Sequence, residues 1–174
     1  MSRSPYSDAF IQWAALAGNT LSLYKDIWVL ADNGGELCYY LRSTDMHTIT
    51  QVERGGSEVF IMSAMSILDI ERYFTVLFGG DIRSGRRLRR ISCTTGLDTL
   101  YSHCKTPLVK KSRLALVDPY GQTRGYFPAP IGRADDVIWF SWILDASLED
   151  LRASYLDPDG LPLFPGLRIG PPRE

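Results

Sequence analysis

A chain of 174 residues that is 45% hydrophobic and 22% charged can bury a core without disulfides, and its composition excludes a disordered or fibrous protein. A formal net charge of −1 argues against a dedicated nucleic-acid binder, whose domain is normally strongly basic. Three cysteines, Cys38, Cys93 and Cys104, are too few and odd in number for a disulfide framework, and no apolar run reaches the roughly 20 residues of a membrane span.

The N-terminus, MSRSPYSDAF, has no apolar signal segment. With the cysteine usage, this predicts a cytoplasmic protein. Residues 1–174 are expected to form one domain, with 165–174 as a flexible tail rich in Pro and Gly. Ser7 is placed to cap a helix over 8–17, whose apolar face is Phe10, Trp13, Ala14 and Ala17. Asp8 suits the positive end of its dipole and Gly18 stops it. The period then changes to that of strands: 21–24, 27–31, 36–41 and 47–52 form an antiparallel meander. Asp32, Asn33, Gly34 and Gly35 provide its strongest hairpin turn, because Asn and Gly tolerate positive φ. Gly55 and Gly56 end the meander.

Ser57 is expected to open a long helix over 58–77, with Phe60, Ala64, Ile67, Leu68, Phe74 and Phe78 along one side and Glu71 as the one break in that seam. Gly79 and Gly80 are expected to terminate it. Residues 91–112 are poorly legible, with a possible short helix at 98–102. A strand over 112–118 turns at Pro119–Gly121 and returns over 123–127. Asp135 and Asp136 begin a helix, and Ser147 with Asp150 resembles a capping box opening another to about Leu156. Asp157–Gly160 is a turn, followed by the apolar strip Leu161–Phe164. The fold class is α+β: an antiparallel β-meander packed on a long central helix, with a helical C-terminal part.

The most unusual stretch is Leu77–Ile91, where Arg83, Arg86, Arg87, Arg89 and Arg90 crowd into eight residues. It is not a phosphate-holding P-loop. Its glycines follow a helix rather than precede one, no Lys-Ser/Thr pair is present, and a helix C-terminus is the wrong end for an anion. A nucleic-acid patch is a weak alternative, because no stacking aromatic lies among the arginines. The plain structural reading is a solvated basic loop that complements the negative end of a helix.

Other constellations are weaker still. Cys93, His103 and Cys104 give three potential zinc ligands where a tetrahedral site needs four. No Gly-x-Ser-x-Gly elbow is present. Asp157 and Asp159 resemble half a calcium loop but lack its bidentate Glu, residue 166 being Gly. No catalytic residue, metal or cofactor is assigned. Tyr39 and Tyr40 must face opposite sides of one strand, which leaves one aromatic available to a partner.

The order of several stretches resembles the immunity protein family of the immunity factor for tuberculosis necrotizing toxin. These are Trp13 ahead of Gly18, Asn33–Glu36 before a Tyr-containing strand, Met65–Leu68, Ile70–Tyr73, Phe78–Gly80, Ile82–Ser84, Leu156–Asp157, Gly160 and Pro162–Phe164. Residues 91–130 match weakly, and Arg86, Arg87, Arg89 and Arg90 depart from the family stretch. The resemblance implies a non-catalytic antitoxin that binds the catalytic domain of a secreted NAD-hydrolysing toxin in the producing cell and obstructs access of NAD to its pocket. The expected state is a monomer or a 1:1 complex with that toxin, without membrane or nucleic-acid partners. Two segments are the expected toxin contacts: Gly80, Asp81, Arg83, Ser84, Arg86 and Arg87, and the turn Asp32, Asn33, Gly34 and Gly35. The alternatives are a nucleic-acid-associated regulator using the basic loop 83–90 and, third, an enzyme.

Overall fold

The computed structural model describes residues 4–93, 99–110, 112–129 and 134–170, with Lys110, Ala134 and Asp135 described in backbone only. Helix α1 (Asp8–Leu16) is capped by the Ser7 hydroxyl, which accepts from Phe10 N at 3.1 Å. Strands β1 (Asn19–Tyr24), β2 (Ile27–Asp32), β3 (Leu37–Ser43) and β4 (His47–Glu53) form the expected meander. A further strand, β5 (Val59–Ala64), pairs antiparallel with β4. Beyond it lie β9 (Thr123–Pro128), β8 (Arg113–Val117) and β7 (Leu108–Lys110), completing an antiparallel sheet of eight strands in the order β1-β2-β3-β4-β5-β9-β8-β7.

The fifth strand corrects the expected helix start at Ser57. Phe60, Ala64 and Ile67 have helical spacing, but Val59–Met62 is an apolar run rich in β-branched and aromatic residues that pairs with β4 instead. A bulge between Ile49 and Thr50 places two consecutive residues, Ile61 and Met62, in the interior. The long helix α2 therefore begins at Ile67, capped by Ser66, whose hydroxyl accepts from Leu68 N at 3.2 Å. It runs to Gly85, so Gly79 and Gly80 lie inside the helix and do not end it.

Helices α1, α2 and α3 (Ala134–Ser141) supply the aromatic side of the core against one face of the sheet. Phe74 packs on Phe10, Tyr39 and Phe78, and Phe140 packs on Phe127 of β9. Helix α4 (Leu148–Leu156) lies against α2 and is capped by Ser147, which accepts from Asp150 N at 2.9 Å. The chain's expected loose end is docked as far as it is described. Strand β10 (Arg168–Ile169) pairs parallel with β6 (Ser92–Cys93), and Leu167 and Ile169 are buried. The expected short helix at 98–102 begins outside the described residues, and residues 100–102 form none.

Glu71, the break in the apolar seam, is fully buried and is satisfied from elsewhere in the chain. Its carboxylate accepts from Ser7 N at 2.7 Å and the Ser7 hydroxyl at 2.8 Å, and Arg152 of α4 stands 3.9 Å away. Burial pushes the Arg152 guanidinium's pKa down, and the Glu71 charge offsets this in part. A second buried carboxylate, Asp69 in the first turn of α2, holds Arg72 at 2.8 Å and Arg124 of β9 at 3.1 Å.

Two residues join α2 to α4. A Cβ built on Gly79 would stand 2.4 Å from ring atoms of Tyr155, itself buried, so the glycine is there for close approach. One turn later Arg83 is 1% exposed. Its Nε donates to Arg89 O at 2.7 Å, its Nη1 to the carbonyls of Asp157 at 2.6 Å, Tyr155 at 3.1 Å and Ser154 at 3.2 Å, and its Nη2 to Pro158 O at 3.0 Å. The side chain thus satisfies the carbonyls that α4 leaves unpaired at its C-terminus.

Gly79→Ala should destabilise the protein by about 1–3 kcal/mol through overpacking on Tyr155. Gly80→Ala, with nothing within 4 Å of the added carbon, should be neutral or stabilising by up to ~1 kcal/mol. Chemical denaturation of the two variants checks the contrast. Arg83→Met should cost about 3 kcal/mol or more, because several buried carbonyls lose their donor together. The same change at exposed Arg86 should move the midpoint little.

Candidate functional site

The expected toxin contacts fall into two groups once placed on the fold. Arg83 leaves the set: it is interior, and its N–H groups are occupied by backbone carbonyls. Gly80, Asp81, Ser84, Arg86 and Arg87 are exposed at the C-terminal end of α2. Arg86 caps that helix and Arg87 turns the chain at φ 58°, a left-handed position held by a non-glycine residue. Arg89 reaches Asp159 at 3.2 Å, but both side chains are about three-quarters exposed, so the pair contributes little. Among the described residues, Arg86, Arg87 and Arg90 have no carboxylate partner within ion-pair distance.

The Asp32–Gly35 turn forms as read from the residues. Gly35 N donates to Asp32 O at 3.0 Å with Gly35 at φ 66°, and the Asp32 carboxylate accepts from Leu37 N at 3.3 Å. Asn33, Gly34 and Gly35 are exposed and Asp32 is half-buried. Topology brings this turn and the end of α2 toward the same end of the sheet. Strand β5 finishes at Ala64, opposite His47 at the far end, and α2 then returns across β3, where Phe74 and Phe78 meet Tyr39.

A third surface follows from the one-sidedness of the sheet. Tyr39 and Tyr40 do face opposite ways: Tyr39 is in the core, and Tyr40 stands half-buried on the face that no described helix covers. Register places Val29, Tyr40, Thr50 and Phe60 side by side across that face, and Thr48, Ser63, Tyr126 and Ala115 in a second row. Among the described residues, the guanidinium groups of Arg42 and Arg113 lie on it. Arg42 packs 5.4 Å from the Tyr40 ring centroid, donates to Thr50 at 2.7 Å and pairs with Glu58. The Glu58 carboxyl is held below the usual carboxylate range, first by the Thr50 hydroxyl and then by Arg42. Arg113 lies 4.2 Å from the Phe60 centroid and has no carboxylate partner among the described residues. With it, Met46, Val109 and Tyr126 line an open cleft of ≈ 240 Å³. The alternation in β3 was a signal for this face. Arg113 and Tyr126 carried none, because their place beside β5 depends on pairing between strands distant in sequence.

Among the described residues, no three His, Cys, Asp or Glu side chains gather as metal ligands. Cys93 and His103 are exposed, whereas Cys104 is buried with its thiol pKa pushed up, chiefly by desolvation. Asp157 and Asp159 belong to a turn in which the Asp157 carboxylate accepts from the backbone N–H of Asp159 at 2.8 Å and of Leu161 at 3.1 Å. These bonds, Leu161's first, hold the Asp157 carboxyl below its usual range. No described helix is long and apolar enough to cross a membrane.

Three surfaces thus stand out among the described residues: the end of α2, the Asp32–Gly35 turn and the helix-free face of the sheet. The sequence profile of Immunity protein 61 matches residues 13–163. The chain is 31% identical over 140 residues to the immunity factor for TNT of Mycobacterium tuberculosis (strain ATCC 25618 / H37Rv), covering 78% of this chain and 77% of that protein. The same figures hold for the immunity factor for TNT homolog of Mycobacterium bovis (strain BCG / Pasteur 1173P2). The solved structure of Rv3902c from M. tuberculosis superposes with a TM-score of 0.81 at 26% identity, covering 94% of this chain and 98% of that one. The chain belongs to the Immunity protein 61 family.

Proposed function

We propose that this chain is an antitoxin that binds the catalytic domain of an NAD-hydrolysing toxin and blocks the approach of NAD in the cytoplasm of the producing cell. The observation that carries this reading is the family match over residues 13–163, joined by relatives named as immunity factors for TNT. Inhibition is by occupancy. The chain contributes surface to a 1:1 complex and no reacting group.

The sequence-derived contact surface is retained in reduced form. Exposed Gly80, Asp81, Ser84, Arg86 and Arg87, with Asp32, Asn33, Gly34 and Gly35, form the proposed contact at one end of the sheet. Unpaired arginines suit it, because a guanidinium makes bidentate bonds to carboxylates and loses less freedom per bond than an ammonium.

The decisive experiment is co-purification with the catalytic domain of a candidate NAD-hydrolysing toxin from the same genome, followed by an NAD-consumption assay. The expected outcome is a stable 1:1 complex and loss of NAD consumption once this protein is in excess; full toxin activity under those conditions ends the reading. Replacing Arg86 and Arg87 together by Ala should weaken the complex by about 2 kcal/mol if they lie centrally, roughly 30-fold in Kd. Unchanged affinity removes the end of α2 from the contact. Tight, steeply salt-dependent binding to random DNA without toxin inhibition would instead favour a nucleic-acid role for the basic segment.

A further inference from the structure

We propose that the cleft on the helix-free face of the sheet, lined by Met46, Val109, Arg113 and Tyr126, is an anchor pocket for an acidic side chain of the toxin domain. The toxin's carboxylate would be presented from an otherwise apolar segment. The identity of the partner rests on the antitoxin reading; the pocket and its chemistry rest on the geometry.

Charge selects the occupant. Of the two guanidinium groups on this face, Arg42 is neutralised by Glu58 and bonded to Thr50, whereas Arg113 has no carboxylate partner among the described residues. Its guanidinium lies 4.2 Å from the Phe60 ring centroid. An aromatic support of this kind holds a guanidinium while leaving N–H edges for in-plane acceptors, the geometry that a carboxylate matches with two parallel bonds. The exposed Arg113 side chain is thus positioned without being satisfied.

The walls select what surrounds that carboxylate. Met46 from the β3–β4 turn, Val109 from edge strand β7 and Tyr126 from β9 present apolar or amphipathic surface around the Arg113 guanidinium. Val109 is half exposed although it is aliphatic. Tyr, Arg and Met are the residue types over-represented at protein contacts, and anchors work best where a surrounding apolar ring excludes water. Size argues against a small-molecule site. The cleft is ≈ 240 Å³ and open, below the roughly 300–1,000 Å³ that enclose drug-sized ligands. One or two side chains of a partner would fill it.

The test titrates the toxin domain against the full chain and its variants by calorimetry, with the NAD-consumption assay in parallel. Arg113→Ala should raise Kd about tenfold or more and Arg113→Glu further, while melting temperature stays near wild type because the side chain is exposed. Val109→Asn, which makes the wall polar without adding a charge beside Arg113, should also weaken binding. Restoration of Arg113→Glu binding by an Asp-to-Lys or Glu-to-Lys change on the toxin would identify the occupant. If the wild-type chain inhibits while Arg113→Glu and Val109→Asn bind the toxin as tightly as it does, the pocket proposal is overturned and the antitoxin reading stands. If the wild-type chain fails to inhibit, the antitoxin reading itself is lost. Binding of free glutamate at Arg113 with toxin affinity unaffected by Arg113→Glu would assign the cleft to a small ligand and also overturn the proposal.

Discussion

The contact between α2 and α4 depends on a backbone approach that only a missing side chain permits. The Tyr155 ring occupies the space where a Cβ on Gly79 would stand, and that closeness lets Arg83, one turn further along, reach the carbonyls at the end of α4. The guanidinium is a charge held away from water, which costs several kcal/mol unless every donor finds an acceptor. Here the acceptors are carbonyls that also need donors, so two deficits cancel at one place. The same bonds fix the chain at Arg89 and at Asp157–Pro158, segments far apart in sequence.

The internal charges outweigh the surface ones throughout this fold. Arg89–Asp159 and Arg54–Glu36 are solvated pairs that contribute at most a fraction of a kcal/mol each. Glu71 and Asp69 are buried carboxylates with defined partners, and losing a partner leaves a desolvated charge. Glu71 ties the cap of α1 to the second turn of α2, and Asp69 ties the start of α2 to β9 through Arg124. Each joins elements that the helix–sheet packing alone would leave free to slide.

This internal organisation bears directly on how the protein can act. With α1, α2 and α3 on one face, no helix among the described residues covers the other face of the eight-stranded sheet, which is the face proposed for a partner. A rigid sheet surface loses little entropy on docking, so its contact energy is not offset by ordering loops. On the proposed antitoxin reading, an obstacle seated over the toxin's pocket would benefit from that rigidity. The polar row Arg42, Thr50 and Glu58 is already mutually satisfied and presents a defined pattern, while Arg113 has no carboxylate partner among the described residues.

Local chemistry determined much of the architecture directly from sequence. Ser7 and Ser147 cap the helices expected of them, the Asp32–Gly35 turn closes the expected hairpin, and the paired strands around Pro119–Gly121 form as read. Each of these signals acts within a few residues, through a hydroxyl and an N–H or through a permitted φ, so no distant partner is needed to interpret it. Val59–Ala64 was misread because helical spacing and strand propensity coincide there, and pairing with β4 decides between them. Gly79–Gly80 looked like a helix stop because glycine serves equally for a left-handed turn and for close packing, and only the position of Tyr155 distinguishes the two. Arg83 looked like its neighbours Arg86 and Arg87 for the same reason: a charged side chain is interior or solvated according to whether unpaired carbonyls from another helix converge on it. Tertiary structure alone decided those cases, since burial and hydrogen-bond satisfaction are properties of what the rest of the chain brings alongside a residue.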